Sequence, residues 1–354
     1  MGATRAHRGI TGKETDMGRA RQYNKITDPE SIAQINPENM ALIEDFAIYL
    51  QSVDRSPQTI EHYKSDLQIF FVYNLQHNGN KRFTEVTKRE FVRFQNHALN
   101  VWKWSPNRIR VVKSAISSLS NYIENILDEE EGFQGFRSII QRIESPAKEA
   151  TLEKSVFTPE EMQDLLDHLT RAKEYRKAAA LALAMYSGRR KAELVQFKVS
   201  HFTPENVVFD TFWKTDDTIR TKGRGVKGKQ INLYVLKAKF EPYLNRWLRE
   251  RQRRGITSEW LLTTERQPFR QLSSETLNGW AREFSEFLGR PFYWHSMRHY
   301  FTTMLARDEV PESVIQDLIA WESADMVKLY TDISKDENIG RYFNKQKFRI
   351  IKGA

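Results

Sequence analysis

An arginine and a glutamate three residues apart are the first pair whose types and spacing could do chemistry. Gly188 follows an apolar stretch and predicts the end of a helix, Arg190 comes two residues later, and Glu193 stands three residues after Arg190. At that spacing the carboxylate can orient or neutralise the guanidinium. Because such pairs are common on helix surfaces, the pattern fits both a functional site and a solvated ion pair.

Two histidines and an arginine form a second group within residues 295–299. His295 and His299 have the spacing of helical zinc ligands, but Ser296 stands where the zinc-protease pattern requires Glu, so we expect no metal. His295 and Arg298 are three residues apart and would share one helical face. Together they could bind one phosphate.

Basic residues also concentrate in a predicted hairpin turn, at Lys222, Arg224, Lys227 and Lys229. Turns are commonly polar for conformational reasons alone. A flexible lysine near phosphates and arginines could nevertheless act as a proton donor, because neighbouring cations lower its pKa.

Tyr330 follows Leu329 and precedes the polar pair Thr331-Asp332. A tyrosine in such a position is most often a half-buried packing residue. It can also be a nucleophile that attacks phosphorus, if cations hold the phosphate in line with the phenol.

Composition narrows the classes of protein that fit. The 354 residues include 55 Lys and Arg against 46 Asp and Glu, a net charge of +9, which favours a polyanionic partner. The sequence has no cysteine, which excludes disulfide scaffolds, thiol nucleophiles and iron–sulfur clusters. The longest apolar run, Ala178 to Tyr186, is too short for the ~20 residues of a membrane span. We see no export signal and therefore expect a cytoplasmic protein without a membrane partner.

The N-terminal part is predicted to be helical after a polar arm. Residues 1–38 read as a basic, mostly disordered arm, and residues 40–127 as a compact domain of four helices. Ser56-Pro57 and Ser105-Pro106 are typical helix starts. The basic face of the fourth helix is either solvated or directed to DNA; it carries Arg108, Arg110 and Lys113.

The C-terminal part is predicted to be a second, mixed domain. An acidic segment and linker cover residues 128–155, and Thr158-Pro159 begins a domain over 156–340. Three β-rich stretches at 206–212, 218–221 and 230–235 interrupt the helices. The expected fold class is therefore mainly α with a small antiparallel β-sheet, an α+β arrangement.

The order of these groups resembles the tyrosine recombinase, or phage integrase, family. The shared features are Gly188-x-Arg190-x-x-Glu193, a hairpin lysine, His295-x-x-Arg298-His299, Trp321 and then Tyr330. The resemblance covers about residues 40–340 and implies a SAM-like core-binding domain followed by a catalytic domain. Ala320 replaces the family's common glycine, a change that we expect to be tolerated at a helix end.

The resemblance implies a role for each matching residue. Arg190 and Arg298 would clamp the scissile phosphate, Tyr330 would be the nucleophile, and His295 would assist as acid or base. Lys222, or Lys227 as its competitor, would protonate the leaving 5′ oxygen. Trp321 stands where the family often has a second histidine and would donate its indole N–H to a phosphate oxygen. Glu193 and His299 would orient their neighbours, and DNA contacts would come from Arg108, Arg110, Lys113, Arg224, Lys227 and Lys229.

The resemblance also implies the activity and the partners. The protein would cleave and rejoin double-stranded DNA through a 3′-phosphotyrosyl link, without metal, ATP or another cofactor. Two protomers would occupy each crossover site and four would form the synapse, helped by accessory DNA-bending proteins, with the tail 341–354 packing between protomers. Integration and excision of a mobile element is the first expectation. Resolution of chromosome or plasmid dimers and a non-catalytic DNA-binding role are the alternatives.

Overall fold

The computed structural model describes residues 26–147, 157–221 and 228–321. The chain divides into two compact units, an N-terminal unit that includes residues 26–147 and a C-terminal unit that includes residues 157–221 and 228–321. Helices dominate and the strands are short and antiparallel, so the predicted fold class, mainly α with a small antiparallel β-sheet, is confirmed. Among the described residues, no helix is long and apolar enough to cross a membrane.

The described part of the N-terminal unit has five α-helices. They are α1 (Pro29–Ala33), α2 (Pro37–Ser52), α3 (Pro57–His77), α4 (Lys88–Asn100) and α5 (Pro106–Ile126). The predicted helix starts at Ser56 and Ser105 are confirmed, because both side chains accept hydrogen bonds from the first turns of α3 and α5. Thr87 caps α4 in the same way. The core between these helices is aromatic; it includes Phe46, Phe70, Phe71, Phe91 and Phe94.

Two stretches that the sequence assigned to an arm and a linker pack on this unit. Helix α1 lies within the expected arm, and Ile26 and Ile35 on either side of it are buried in the aromatic core. Asp28 caps α1 in the same way as Ser56 caps α3. This capping residue is a local helix signal, but the polar composition of residues 1–38 favoured disorder in the sequence-based prediction. In the expected linker, Ile139 and Ile140 are buried in the same core.

The C-terminal unit is built around one almost completely buried helix. Its helices are α6 (Pro159–Arg171), α7 (Tyr175–Ser187), α8 (Lys191–Leu194), α9 (Lys237–Arg253), α10 (Thr276–Leu288), α11 (Ser296–Arg307) and α12 (Glu312–Ile319). All residues of α7 from Ala178 to Ser187 are buried, and α6, α9 and α11 pack around it. The apolar run seen in the sequence is therefore the centre of the hydrophobic core of this unit, where small alanines let neighbouring helices approach closely.

In the described part of the C-terminal unit, five short strands form two antiparallel sheets. They are β1 (Val207–Val208), β2 (Phe212–Lys214), β3 (Ile219–Thr221), β4 (Lys229–Ile231) and β5 (Tyr234–Leu236). The first sheet has the order β1-β2-β5, and β3 and β4 form a separate hairpin in which Thr221 pairs with Lys229. The predicted strand at 206–212 is interrupted, because Phe209 and Asp210 take positive φ values of 54° and 51° and turn the chain. Asp210 is a residue type that such turns tolerate, but Phe209 is not, so the pair does not signal a turn of this kind.

Candidate active site

The turn after α7 packs directly against α11 and α12. Gly188 ends α7 with φ 63°, in the left-handed region that glycine adopts without strain. A Cβ atom at this position would lie 2.7 Å from Ile319 Cδ1 and 2.7 Å from Phe301 Cδ1. Glycine is therefore required both by the backbone angle and by the space, and it brings residues 188–190 against two helices more than 100 residues later in the chain.

Arg190 is held by a carboxylate that is almost inaccessible to water. Glu193 Oε1 accepts a hydrogen bond from Arg190 Nη1 at 3.1 Å, and Oε2 accepts one from the Arg190 backbone N–H at 3.2 Å. The Glu193 side chain is 2% exposed, whereas the Arg190 side chain is 36% exposed. The buried acid thus fixes one side of a guanidinium whose other side remains open to an anion, which is the orienting contact that the spacing allowed.

Arg298 lies inside the unit, between the Gly188 turn and the end of α12. Its Nη1 donates to the Gly188 carbonyl at 3.1 Å and its Nη2 to the Ile319 carbonyl at 3.3 Å. The guanidinium also stacks on the Trp321 ring, 4.8 Å from the ring centroid. These contacts restrict the orientation of Arg298, which is 1% exposed.

Trp321 follows the helix end at which Ala320 takes a φ of 57°. The backbone N–H of Trp321 donates to the Gln316 carbonyl at 3.0 Å, and Gln316 Nε2 donates to the Trp321 carbonyl at 3.2 Å. The indole is 8% exposed. Its position therefore depends on how α12 ends. The left-handed angle of Ala320 explains why glycine suits this turn.

His295 precedes α11 and remains accessible to solvent at the edge of the same region. Partial desolvation of the imidazole, with smaller contributions from His299, Arg298 and Arg190, lowers the pKa of His295 to about 4. The ring centroids of His295 and His299 are 5.7 Å apart, edge to face. His295 is therefore neutral near pH 7 and could accept a proton or donate a hydrogen bond.

Arg190, Glu193, Arg298, Trp321 and His295 thus come together at one place, where the turn after α7, the start of α11 and the end of α12 meet. The turn after α7 precedes the other two elements by more than 100 residues, whereas α11 and α12 follow each other in the chain. Two guanidiniums, one buried carboxylate, one neutral imidazole and one indole leave this region positively charged. The set suits a phosphate group.

Gln196, which the sequence did not indicate as a functional residue, connects the β3–β4 hairpin to this region. Lys222, Arg224, Lys227 and Tyr330 lie outside the described residues, and Lys229 is exposed on β4. Gln196 Oε1 accepts from the Arg220 N–H at 3.1 Å and Gln196 Nε2 donates to the Arg220 carbonyl at 3.0 Å. Since Gln196 comes two residues after α8, this pair of bonds joins β3 to the helix that carries Glu193. A lone glutamine has no sequence signal for such a role.

A second anchor lies at the base of the same hairpin. His201 Nδ1 accepts from the Lys198 N–H at 3.2 Å, so Nε2 carries the proton and donates to Asp217 Oδ1 at 2.6 Å. Asp217 also pairs with Lys198 Nζ at 3.0 Å. Burial raises the pKa of Asp217, but the hydrogen bonds from Lys198 and His201 outweigh that effect and lower it. His201, Asp216 and Asp217 lie within metal-ligand distances of one another, but this protonation pattern makes the group a hydrogen-bonded anchor.

The three basic residues predicted on the helical domain make contacts within their own unit. Arg108 Nη2 donates to Asp66 at 2.6 Å, and Arg110 Nη2 donates to the Pro146 carbonyl at 2.8 Å. Lys113 donates to the Ile143 carbonyl and to Ser145 Oγ. These donors lie on one helix, α5, and two of them bind the segment 143–146. Their role in DNA binding stays a prediction.

Both units of the chain match families of known protein domains. A SAM-like helical domain followed by an integrase catalytic domain is the architecture of a site-specific recombinase. The profile of the phage integrase N-terminal SAM-like domain matches residues 42–130, and that of the phage integrase family matches residues 155–337. The chain belongs to the phage integrase family.

The related sequences and structures agree with this assignment. The chain is 29% identical to the SPbeta prophage-derived recombinase-like protein YomM of Bacillus subtilis (strain 168), over 82% of this chain and 86% of the relative. It is 24% identical to the tyrosine recombinase XerA of Pyrococcus furiosus, over 83% of this chain and 90% of the relative.

Two solved structures share the fold at low sequence identity. The XerH site-specific recombinase bound to palindromic difH substrate has a TM-score of 0.62 at 18% identity, covering 81% of this chain and 80% of the other. A lambda integrase dimer bound to a COC′ core site has a TM-score of 0.60 at 15% identity, covering 83% and 95%. The expected family is confirmed, and the protein is a site-specific recombinase, an enzyme that breaks and rejoins DNA strands.

Proposed function

We propose that this recombinase cleaves duplex DNA with Tyr330 as the nucleophile and with Arg190 and Arg298 on the scissile phosphate. The observation that supports the proposal best is the meeting of Arg190 with His295, Arg298 and Trp321, which come more than 100 residues later in the chain. The Tyr330 oxygen forms a bond to phosphorus while the bond from phosphorus to the 5′ oxygen breaks. The result is a 3′-phosphotyrosyl link and a free 5′-hydroxyl.

Protons move in balance with these bonds. His295, neutral near pH 7, takes the phenolic proton or orients the phenol, and a hairpin lysine gives a proton to the leaving 5′ oxygen. Lys222 is our first choice for that acid and Lys227 the second. The bonds between Gln196 and Arg220 support the choice, because they hold strand β3 against α8 two residues before Lys222.

The negative charge of the transition state is met by fixed donors. Two guanidiniums, the imidazole and the indole N–H of Trp321 are placed before the substrate arrives, and such preorganised donors stabilise developing charge. Glu193 orients Arg190, and His299 orients His295. The bond energy is conserved in the phosphotyrosyl link, so the proposed reaction uses neither ATP nor a metal or other cofactor.

We infer that both units contact DNA and that protomers assemble on it. The helical domain of residues 40–127, with the segments around Ile26–Ile35 and Ile139–Ile140 packed on it, and the catalytic domain of residues 156–340 would bind the duplex. Residues 1–25 would serve as the arm, residues 148–155 as the linker and residues 341–354 as the packing tail. Arg108, Arg110, Lys113, Arg224, Lys227 and Lys229 are the proposed phosphate contacts. Similar folds occur in a lambda integrase dimer on a core site and in a lambda integrase tetramer on a Holliday junction, which supports a dimer on each site and a tetramer in the synapse.

Integration and excision of a mobile element is the biological role that we favour. The similarity to a prophage-derived recombinase-like protein supports it. Dimer resolution is the second candidate, because XerA recombinases also match along most of the chain. A host-encoded DNA-bending protein that stimulates only one direction of the reaction would favour the first role.

The test begins with the DNA sequence that the protein selects from a random duplex pool. That sequence is then made as a duplex with a nick close to the cleavage position, so that the cleaved strand is lost. Wild-type protein should become attached to the DNA in a form that survives denaturant, and Tyr330→Phe should bind without attachment. Attachment of the Tyr330→Phe variant would refute the nucleophile.

The lysines are separated with a second substrate. A 5′-bridging sulfur leaves without protonation, so it should restore cleavage by the variant that lacks the general acid. We expect rescue of Lys222→Ala; rescue of Lys227→Ala alone would transfer the role to Lys227.

A further inference from the structure

Arg189 is an arginine in the interior of the C-terminal unit. It lies between Gly188 and Arg190, and only 1% of its surface is exposed. Among the described residues, no carboxylate lies within salt-bridge distance of its nitrogens and its Nε has no hydrogen-bond partner. Burial lowers the pKa of Arg189 to about 10, so the side chain still carries its charge near pH 7. A charge held this way is costly unless backbone dipoles compensate for it.

The compensation comes from the end of α12. Arg189 Nη2 donates to the Leu318 carbonyl, and Nη1 donates to the Ile319 carbonyl at 3.4 Å. Leu318 and Ile319 are the last two residues of α12, where helix carbonyls lack partners within the helix and the helix dipole is negative. A planar guanidinium can bind two adjacent carbonyls at once, which an ammonium group does less well.

The bound helix end is also the one that places Trp321. The Ile319 carbonyl accepts from Arg189 and from Arg298, so both guanidiniums meet at one oxygen. Ala320 follows in the left-handed conformation, which an alanine adopts only when its surroundings impose it. Trp321 comes next, stacked on Arg298. The position of the indole thus depends on a helix end whose carbonyls Arg189 binds.

We propose that Arg189 is a positioning residue that joins the Arg190 turn to the end of α12 and thereby places Trp321 relative to Arg190. The proposal rests on the proposed function of these residues, and it adds a residue that does not itself touch DNA. One backbone turn carries both Arg189 and Arg190. If the contact between Arg189 and the end of α12 shifts, the distance between Arg190 and Trp321 therefore changes as well. Errors of about 1 Å in such distances lower rates by up to ~100-fold.

The first measurement reports geometry and does not depend on activity. The protein is labelled with 5-fluorotryptophan, and the ¹⁹F resonance of Trp321 is assigned by its loss in Trp321→Phe. Arg189→Met removes the charge and the donors but keeps an apolar side chain of similar length, so we expect the Trp321 resonance to shift or broaden. The matched control is Arg251→Met, because Arg251 is 4% exposed and also donates to carbonyls, those of Ser258, Trp260 and Leu261. This control should leave the Trp321 resonance unchanged.

The second measurement reports the consequence for cleavage, on the nicked duplex described above. Arg189→Met should lower single-turnover cleavage by about 10- to 100-fold while DNA affinity changes less than about threefold. If Arg189 acts through Trp321, its replacement should cost less than about threefold in a Trp321→Phe background. Arg251→Met should cleave like the wild type.

Arg189→Lys keeps the proposal testable if Arg189→Met does not fold. Lysine retains the charge but binds one carbonyl instead of two, so a folded Arg189→Lys should show the same resonance shift and a smaller, still coupled, loss of cleavage. An unchanged Trp321 resonance in the folded variant would overturn the proposal. The proposal would also be overturned if the Arg189 substitution lowered cleavage by the same factor in the Trp321→Phe background as in the wild type. If the wild type itself does not cleave and the resonance shifts, the proposed function fails while the positioning role of Arg189 stands.

Discussion

Three arginines surround the Gly188 turn, and their surroundings give them different capacities. Arg190 keeps one third of its side chain exposed and is oriented by Glu193, so it can meet an anion from solvent. Arg298 is enclosed and stacks on Trp321. Arg189 donates its hydrogen bonds to carbonyls at the end of α12. Burial and partners thus separate these three arginines into Arg190, which is open to solvent, and two enclosed side chains that hold the surrounding backbone in place.

Gly188→Ala should destabilise the C-terminal unit by about 1–3 kcal/mol, because it combines a strained φ with overpacking against Phe301 and Ile319. Gly289→Ala is the matched control. Gly289 has φ 65° and open space at its Cβ position, so it should cost only about 1 kcal/mol. Urea unfolding of both variants measures the difference. Equal costs would mean that the turn is not tightly packed.

His295 should titrate in the free protein with a midpoint near pH 4, well below the ordinary value of 6.5. The folded chain then binds this proton less readily than the unfolded chain, so His295 lowers stability as the pH falls from about 6.5 toward 4. The C2–H NMR resonance of His295, assigned by its loss in His295→Gln, follows the titration. A midpoint near 6.5 would contradict the desolvation that the structure predicts, and a bound phosphate should raise it.

At the scale of elements, the β3–β4 hairpin is held at its base by side chains outside it. Gln196 binds the backbone of Arg220, and His201 and Lys198 bind Asp217 just before β3. Short strands of three residues offer few ladder bonds of their own. The position of β3, which leads toward the proposed general acid Lys222, therefore depends on these anchors.

Gln196→Ala should slow cleavage of ordinary DNA by about 10-fold or more and have little effect on a 5′-bridging sulfur substrate, because it disturbs the strand leading to the general acid. Asn206→Ala removes a similar amide contact, to the Ser200 carbonyl, away from the hairpin and serves as control. Single-turnover rates on both substrates give the comparison. A defect of equal size on the sulfur substrate would show that Gln196 acts elsewhere.

At the scale of the whole molecule, the net charge of +9 does not show which basic residues are available to bind DNA. Arg108, Arg110 and Lys113 make contacts within the helical unit, so the overall surplus is a poor guide to the DNA-binding face. Phosphates that replaced the carbonyls of segment 143–146 would be stronger acceptors for Arg110 and Lys113. Binding of DNA would then free that segment.

Deletion of residues 341–354 should weaken synapsis more than binding to a single site. The tail carries Tyr342, Phe343, Phe348, Ile350 and Ile351, apolar residues that would lose a partner protomer. Gel mobility of single-site and paired-site complexes measures both affinities. Equal losses would contradict a role in packing between protomers.

The sequence alone determined much of the plan of this protein. Helix starts were predictable because a capping side chain and a proline act within one turn, as at Ser56-Pro57 and Ser105-Pro106. The family was recognisable because the order and spacing of its motif residues can be read directly from the sequence, at Gly188, Arg190, Glu193, His295, Arg298 and Trp321. The interrupted strand at Phe209 and the packed segments around Ile26 and Ile139 were not predictable, since local composition does not report contacts with a distant core.

Only the tertiary structure decided which charges are buried and what they hold. Arg189 looked like one more cation in a basic run, but its partners Leu318 and Ile319 lie about 130 residues later in the chain. Gln196 and Asp217 likewise acquired their roles from the hairpin they anchor. Hydrogen bonding within a turn is encoded locally, whereas desolvation depends on everything that packs around a side chain, and that is settled only when distant elements meet.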